Sequence, residues 1–330
     1  MTSSISPQWA EATEAVEQAA SVLIVTHINP DGDAIGSLLG LALTLRARGK
    51  KVDAVVDGGV PDFLRFLVGA NTVQGKLKRG KWDVMISSDS SDEERAGLAG
   101  VYGRKHSARV INLDHHPTNT YFGDIFLVVP EAVSATEIVY LWLEHMGHPL
   151  SEPVAIALLT GLVTDTMGFR TNNVKAATMG LAQKLMEAGA SLYDITQRTM
   201  VSRPFRDLQL LANAFPSIKL QGTIISGVVT QDDLKRAGQH EATDGGLVSQ
   251  LIAANEAVIA VVFKELADGK VELSFRSKPG FDVGSAAFGL GGGGHKQASG
   301  ATIDGPLDVA IARVMPLLQA AAAQGLATTA

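Results

Sequence analysis

The chain is 330 residues long, 46% apolar and 19% charged, with a net charge of −6 and no cysteine. The absent thiols exclude disulfides and thiolate metal sites, so imidazole and carboxylate are the strong ligands available. The acidic balance argues against a protein that coats long nucleic acid by releasing counterions, and the length makes two domains the default expectation.

In chain order, the opening MTSSISPQWAEATEAVEQ has neither the basic nor the apolar region of a signal peptide, which predicts a cytoplasmic protein. Residues 22–26 read as a buried strand, 34–48 as a helix and 51–56 as the next strand. Short apolar runs come next at 82–88 and 109–113, with a helical segment over 92–102 between them. This alternation predicts an α/β domain, a mostly parallel sheet with helices on both faces. Beyond Val129 the spacing turns helical, over roughly 134–145, 153–164, 173–189, 192–199 and 205–213. No apolar run reaches the roughly 18 residues that span a bilayer, so no membrane partner is expected. A second style begins near Pro216, with β-rich runs at 219–229, 257–266 and 270–275, a glycine cluster and a terminal helix over 307–323. The predicted organisation is a catalytic domain over 1–200, a helical linker over 201–216 and a smaller α/β domain over 217–330. Arg203-Pro204 and Phe215-Pro216 punctuate that linker.

In a parallel sheet, ligands bind beyond the carboxyl ends of the strands. His27, Asp31 and Asp33 follow the first predicted strand, Asp89 follows the run at 82–88, and Asp114-His115-His116 follow the run at 109–113. Each has an ordinary explanation alone. Asp33 suits the N-cap of a helix, Asp89 or Asp92 the first turn of another, and the histidine pair a surface turn. Together they are harder to dismiss, because carboxylates clustered at one sheet edge repel each other unless a cation sits among them. A divalent ion is the economical answer, and a carboxylate–imidazole set suits Mn²⁺, Mg²⁺ or Fe²⁺. Asp165, in the turn of GLVTDTMGFR that follows an apolar helix, is a further candidate ligand.

THINPDGDAIGS, the Asp89 segment, DHH and TDTMGF stand in the order and approximate spacing seen in the DHH phosphoesterases, and the first 200 residues or so resemble that family. The resemblance implies phosphoester hydrolysis at two divalent ions, usually Mn²⁺. Carried over by position, His27 and Asp31 would bind one ion, Asp33, His115 and Asp165 the other, with Asp89 bridging. Asp114 would orient the neighbouring imidazole. His116 would contact the scissile phosphate or assist the leaving group.

The stretch FRSKPGFDVGSAAFGLGGGGHKQASGA, 275–301, formally contains G-x-G-x-x-G, but it comes after a helical run instead of a strand and has no ribose-binding acid in context. His295 stands where a Walker A loop needs Lys. Consecutive glycines can instead expose backbone N–H groups as an anion nest, with Arg276 and His295 as charged partners. This stretch resembles the DHH-associated C-terminal domain. That resemblance implies that Arg276, Ser277, Lys278, Gly291, Gly292, Gly293, Gly294 and His295 grip the substrate beyond the scissile phosphate, across a cleft between the domains.

Together the two domains resemble the bacterial nanoRNase and 3′-phosphoadenosine-5′-phosphate phosphatase group, some of whose members cleave cyclic or linear dinucleotides. The implied substrates are short single-stranded RNA, 3′-phosphoadenosine 5′-phosphate or dinucleotides, with no long nucleic acid. Two other readings stay open, a nucleotide-sensing protein without catalysis and a pyrophosphatase-type hydrolase. Substrate polarity and a homodimer are left open too.

Overall fold

The computed structural model describes residues 7–77, 79–239 and 242–329. The chain divides between Ser202 and Arg203 into two compact units. Five strands form the sheet of the first unit: β1 (Ser21–Val25), β2 (Lys51–Val55), β3 (Trp82–Ser88), β4 (Ser107–Asp114) and β5 (Ile125–Val128). They lie in the order β2-β1-β3-β4-β5, and every neighbouring pair is parallel. Such strands are buried on both faces, so they read as continuous Val, Ile and Leu runs. β5 is the strand that spacing does not reveal, because IFLV is too short to show a period and only its pairing with β4 defines it.

Seven α-helices accompany this sheet among the described residues: α1 (Trp9–Gln18), α2 (Gly32–Ala47), α3 (Gly97–His106), α4 (Ala135–His145), α5 (Glu152–Asp165), α6 (Ala176–Glu187) and α7 (Leu192–Thr196). On one face, Val22, Ile24, Ile86 and Ile111 pack against Leu38, Leu41, Ile138 and Leu158 of α2, α4 and α5. On the other, Leu23, Val25, Met85 and Val110 lie under Ala99 of α3. Helix α3 starts later than the expected 92–102. Asp92 Oδ1 takes the backbone N–H of Arg95 at 2.9 Å, and Gly97 adopts φ +68°, so residues before it make turns and the helix begins beyond them.

One packing contact positions the strand ends. Gly32, Gly36 and Gly40 recur every fourth residue and share one stripe of α2. A Cβ on Gly36 would stand 2.5 Å from the Ala157 carbonyl oxygen in α5, and one on Gly161 of α5 would stand 2.7 Å from Asp33 Oδ1. The two backbones therefore approach more closely than side chains permit. The start of α2 is thereby brought beside the end of α5, where Gly32 faces Thr164.

The second unit contains α8 (Phe205–Ala214), β6 (Lys219–Gln221), β7 (Ile224–Val229), α9 (Gln231–Ala237), α10 (Leu247–Leu251), β8 (Ile259–Glu265), β9 (Lys270–Ser277), α11 (Gly284–Gly289), β10 (Gly293–His295), β11 (Ala298–Asp304) and α12 (Leu307–Thr329). Its sheet order is β10-β11-β9-β8-β7-β6, antiparallel except where β7 meets β8. Phe263, Leu273 and Phe275 face Ala287, Val314 and Leu318 of α11 and α12. Val229, Ala260 and Val262 face Leu210, Leu234 and Leu247 of α8, α9 and α10. Helix α8 lies inside the stretch 201–216 and adds Leu210 and Leu211 to this second core. The run 219–229 is a hairpin, broken where Gly222 turns left-handed at φ +62°. No described helix is long and apolar enough to cross a membrane.

Gly36→Ala should lower stability by about 1–3 kcal/mol, the usual cost of overpacking a close contact. It should also weaken divalent-ion binding, because separating α2 from α5 separates Asp33 from Asp165. Thermal unfolding and metal titration of the variant measure the two effects.

Candidate metal centre

The strands β1, β3 and β4 are parallel neighbours, so their carboxyl ends meet at one edge of the sheet. After β1 the chain turns through Asn29 at φ 54° and reaches Asp31, the N-cap of α2. Asp31 Oδ1 accepts the backbone N–H groups of Asp33 and Ala34, both at 3.0 Å. The capping role that suits Asp33 by sequence thus belongs to Asp31. Asp33 sits in the first turn with 1% of its surface exposed, and its oxygens accept the N–H groups of Ala135 and Thr136 at the start of α4. It therefore caps a helix far away in the sequence.

His27 is buried, with Nδ1 at 2.8 Å from the Ile28 carbonyl oxygen. A carbonyl only accepts, so Nδ1 carries the proton and Nε2 offers its lone pair. That Nε2 lies 3.4 Å from Asp89 Oδ2 and 3.9 Å from Asp31 Oδ1. Asp89 ends β3 in the left-handed region at φ 56°, tied by its N–H to the Leu113 carbonyl at 2.8 Å. Its Oδ1 is buried and has no hydrogen-bond partner among the described residues. His115 Nε2 stands 3.6 Å from that atom, 3.7 Å from Asp165 Oδ2 and 3.8 Å from Asp33 Oδ2.

These separations are too long for hydrogen bonds. They match the roughly 3–4 Å expected between atoms that share an ion at about 2.1 Å. His27, Asp31 and Asp89 form one compact set of donors, and Asp33, His115 and Asp165 form another. The orphaned Asp89 oxygen, the spacing and the carboxylate–imidazole chemistry all fit divalent metal. The structure thus brings together all six residues that the sequence singles out as ligands.

His116 is placed differently. Its Nδ1 lies 2.8 Å from Asp114 Oδ1, and Asp114 is wholly buried. The other Asp114 oxygen accepts from Asn119 Nδ2 at 2.6 Å. Sequence spacing does not expose Asn119; the available signal was an amide five residues past Asp114 in the turn DHHPTN.

The electrostatics show what the cluster lacks. Burial lifts the Asp33 carboxyl well above its usual range, and the charges of Asp89, Asp165 and Asp31 lift it further. Asp165 is pushed up to about 6, first by burial and then by Asp89 and Asp31, against the opposing charge of His115. It also ends α5, where the helix dipole disfavours an anion. Burial alone would raise Asp89, but the neighbouring His27 imidazole and the charges of His115, His27 and His116 hold it below the usual range. Burial alone would lower His27, but Asp89 raises it. The hydrogen bond to Asp114 lifts His116 to about 8. A divalent ion relieves this conflict by favouring ionised carboxylates and neutral imidazoles.

In the second unit, Arg276 of β9 lies between Ala260 and Ala298 and gives Nη1 to the Phe275 carbonyl at 2.9 Å. The buried Ser277 hydroxyl lies 2.9 Å from the Phe281 carbonyl oxygen and 3.2 Å from that of Lys296. Lys278 Nζ donates to the carbonyls of Ala254 and Asn255 at 2.9 and 3.1 Å. Two of the glycines have packing duties. A Cβ on Gly292 would strike Ala301 and one on Gly294 would strike Ala298 of β11. Gly291, at φ +79°, follows the Leu290 cap of α11, and a Cβ on Gly293 would meet nothing within 4 Å. Gly293–His295 form the edge strand β10, and the side chain of His295 lies outside the described residues.

A parallel α/β unit with carboxylates and imidazoles gathered at its strand ends, joined in one chain to a smaller mixed-sheet unit, defines the class. Residues 21–162 match the DHH family, N-terminal domain, and residues 225–324 match the DHHA1 domain. The bifunctional oligoribonuclease and PAP phosphatase NrnA of Thermus thermophilus is 33% identical over 312 residues, 93% of this chain and 91% of its own. Its Bacillus subtilis namesake is 27% identical over 289 residues, 86% of this chain and 89% of its own. An exopolyphosphatase-related protein from Bacteroides fragilis has a similar solved structure, with a TM-score of 0.88 at 25% identity over 94% of this chain and 97% of its own. A manganese-bound exonuclease RecJ shares the fold at a TM-score of 0.53 and 16% identity, over 94% of each chain. The chain belongs to the DHH phosphoesterase family, hydrolases of phosphoester bonds.

Metal-free protein should lose stability as pH rises. When folded, Asp165 keeps its proton up to about 6 and Asp33 keeps its own well above the usual carboxyl range, whereas unfolded carboxyls release theirs near 3.8. His116 holds its proton up to about 8 when folded, against 6.5 unfolded. In each case the folded state binds more protons over the interval, so stability falls as pH rises through it. The lowered Asp89 acts oppositely, but only below its usual 3.8. Chelator-treated protein should therefore melt lower at about pH 8 than at about pH 5, and saturating Mn²⁺ should remove or reverse that difference.

Proposed function

We propose that this protein hydrolyses short oligoribonucleotides and 3′-phosphoadenosine 5′-phosphate with two divalent ions, Mn²⁺ by preference. His27 and Asp31 hold one, Asp33, His115 and Asp165 the other, and Asp89 bridges them. Asp89 carries this proposal, since its Oδ2 faces His27 while its Oδ1 faces His115. Support for the substrate class comes from relatives named as oligoribonuclease and PAP phosphatase. The net charge of −6 supports it too, because long strands need many cationic contacts.

When bound, the ions neutralise the phosphate and lower the pKa of an attacking water. The remaining work falls to the chain. Ile28 and Asp114 fix the proton positions of His27 and His116. Attack by water forms a new P–O bond as the ester P–O bond breaks, and the departing ribose oxygen takes a proton from His116. With Nδ1 committed to Asp114, that transfer runs through Nε2, and the imidazole recovers a proton from solvent. Arg276 and the Gly291–Gly294 segment bind the part of the substrate beyond the scissile phosphate, with His295, Ser277 and Lys278 in supporting positions. A grip at one end favours substrates of about two to five nucleotides over long strands, whose affinity is built from many phosphate contacts.

Asp89→Ala should abolish hydrolysis with the fold intact by circular dichroism. His116→Ala should lower kcat by about 10²–10⁴, the usual contribution of general acid catalysis, while metal content stays nearly full. Substrate choice is tested by kcat/KM on RNA from a dinucleotide to about 24 nucleotides, 3′-phosphoadenosine 5′-phosphate, cyclic di-AMP and pyrophosphate, each with Mn²⁺. The dinucleotide should exceed the longest RNA, and Arg276→Ala should weaken the preference. A longest-RNA maximum would make the protein a strand exonuclease, a pyrophosphate maximum a pyrophosphatase, and tight binding without product a nucleotide sensor.

A further inference from the structure

Behind His116 lies a buried set of amides and carbonyls that none of the expected roles uses. Asn119 is 8% exposed, and its side chain makes three hydrogen bonds. Its Nδ2 donates to Asp114 Oδ2 at 2.6 Å and to the Ser90 carbonyl at 3.3 Å, and its Oδ1 accepts the Tyr121 N–H at 2.6 Å. Its own N–H returns to the His116 carbonyl at 3.0 Å, closing the turn. The Ser90 carbonyl also accepts from Asn112 Nδ2 at 3.2 Å, and the neighbouring Ser91 carbonyl takes the Thr120 N–H at 2.8 Å. The loop bearing His115 and His116 is thus stapled to the loop that begins at Asp89.

We propose that Asn119 is a positioning residue for phosphoester cleavage: it clamps the Asp114 carboxylate so that Asp114 holds His116 with Nε2 turned to the leaving group. The inference rests on the phosphoesterase function and on His116 as proton donor, and extends both to a side chain that touches no reacting atom. An aspartate with one oxygen on an imidazole and the other free to rotate has several poses in a buried pocket. The amide removes that freedom, because Nδ2 can reach Asp114 Oδ2 only while Oδ1 stays on Tyr121. Asp114 is wholly buried, so no water competes to replace the amide. A donor bonded behind a catalytic side chain fixes its orientation in the way outer partners fix metal-bound histidines, and losing one costs about 10–100-fold.

The test separates positioning from folding by the leaving group. A ribose oxygen needs a proton as it departs, whereas nitrophenolate leaves without one. Wild-type, Asn119→Ala, Asp114→Asn and His116→Ala are compared with Mn²⁺ on a diribonucleotide and on bis(p-nitrophenyl) phosphate. Asn119→Ala should lose about 10–100-fold in kcat on the dinucleotide with KM and bound Mn²⁺ nearly unchanged. On the nitrophenyl ester its kcat should stay near that of wild type, and Asp114→Asn should show the same selectivity. Equal losses on both substrates, or a matching loss of metal, would make Asn119 merely structural and overturn the proposal. If Asn119→Ala folds poorly, Asn119→Ser and Asp114→Asn decide by the same substrate ratio. A wild type inactive on both diesters would sink the phosphodiesterase function itself. Selectivity in His116→Ala but not in the Asn119 variants would sink the role of Asn119 alone.

Discussion

Like charges held out of water dominate this molecule. Asp33 and Asp89 are almost completely buried, Asp165 is largely so, and Asp31 stands at their rim. In water the solvent would screen such groups from one another, but within the protein their repulsion is several times larger. The fold tolerates them through local devices: the Asp31 cap, the two α4 amides on Asp33, and the imidazoles around Asp89. None of these neutralises the cluster. The imidazoles do so only by taking up protons, which are displaced when the same nitrogens bind metal. The carboxylates therefore stay in tension until cations enter. The protein part of the centre is incomplete by construction, and cations complete it.

The scaffold that carries this tension is rigid. Three adjacent parallel strands supply the edge, and the glycine stripe of α2 seated on α5 fixes the remaining distance between Asp33 and Asp165. Neither helix could supply that geometry alone. A strand end aims a side chain, while a helix–helix contact sets the separation between two of them. Asp89 depends on the strand end, where its left-handed backbone turns the carboxylate toward both His27 and His115.

The second unit uses its glycines in another way. Gly292 and Gly294 let β10 lie against β11 where a Cβ would collide, so part of the motif serves backbone packing. A Cβ on Gly293 would meet nothing within 4 Å, and β10 is the edge strand of its sheet. Backbone N–H groups at a sheet edge, in the same sheet as the half-buried Arg276, are chemically suited to an anion. Packing thus accounts for two of the four glycines, Gly292 and Gly294.

Much of this is legible in one dimension. The alternation of strand and helix predicts a parallel sheet, and ligands of such sheets gather at the carboxyl ends of the strands. Looking just beyond each apolar run therefore brings His27, Asp31, Asp33, Asp89 and His115 into view together, with Asp165 joining them from the end of a helix. Which residue types reach that edge is legible in the sequence, because strands alternating with helices run parallel and so bring their carboxyl ends to one side. Tertiary structure decided the division of labour there. Only folding shows that Asp31 caps α2 while Asp33 caps α4, that β5 completes the sheet, and that α8 belongs to the second core. Asn119 likewise acquires its meaning only when Ser90 and Asp114 arrive beside it from different loops. These assignments depend on distances between segments remote in the chain, and a residue pattern records the local partner far better than the distant one.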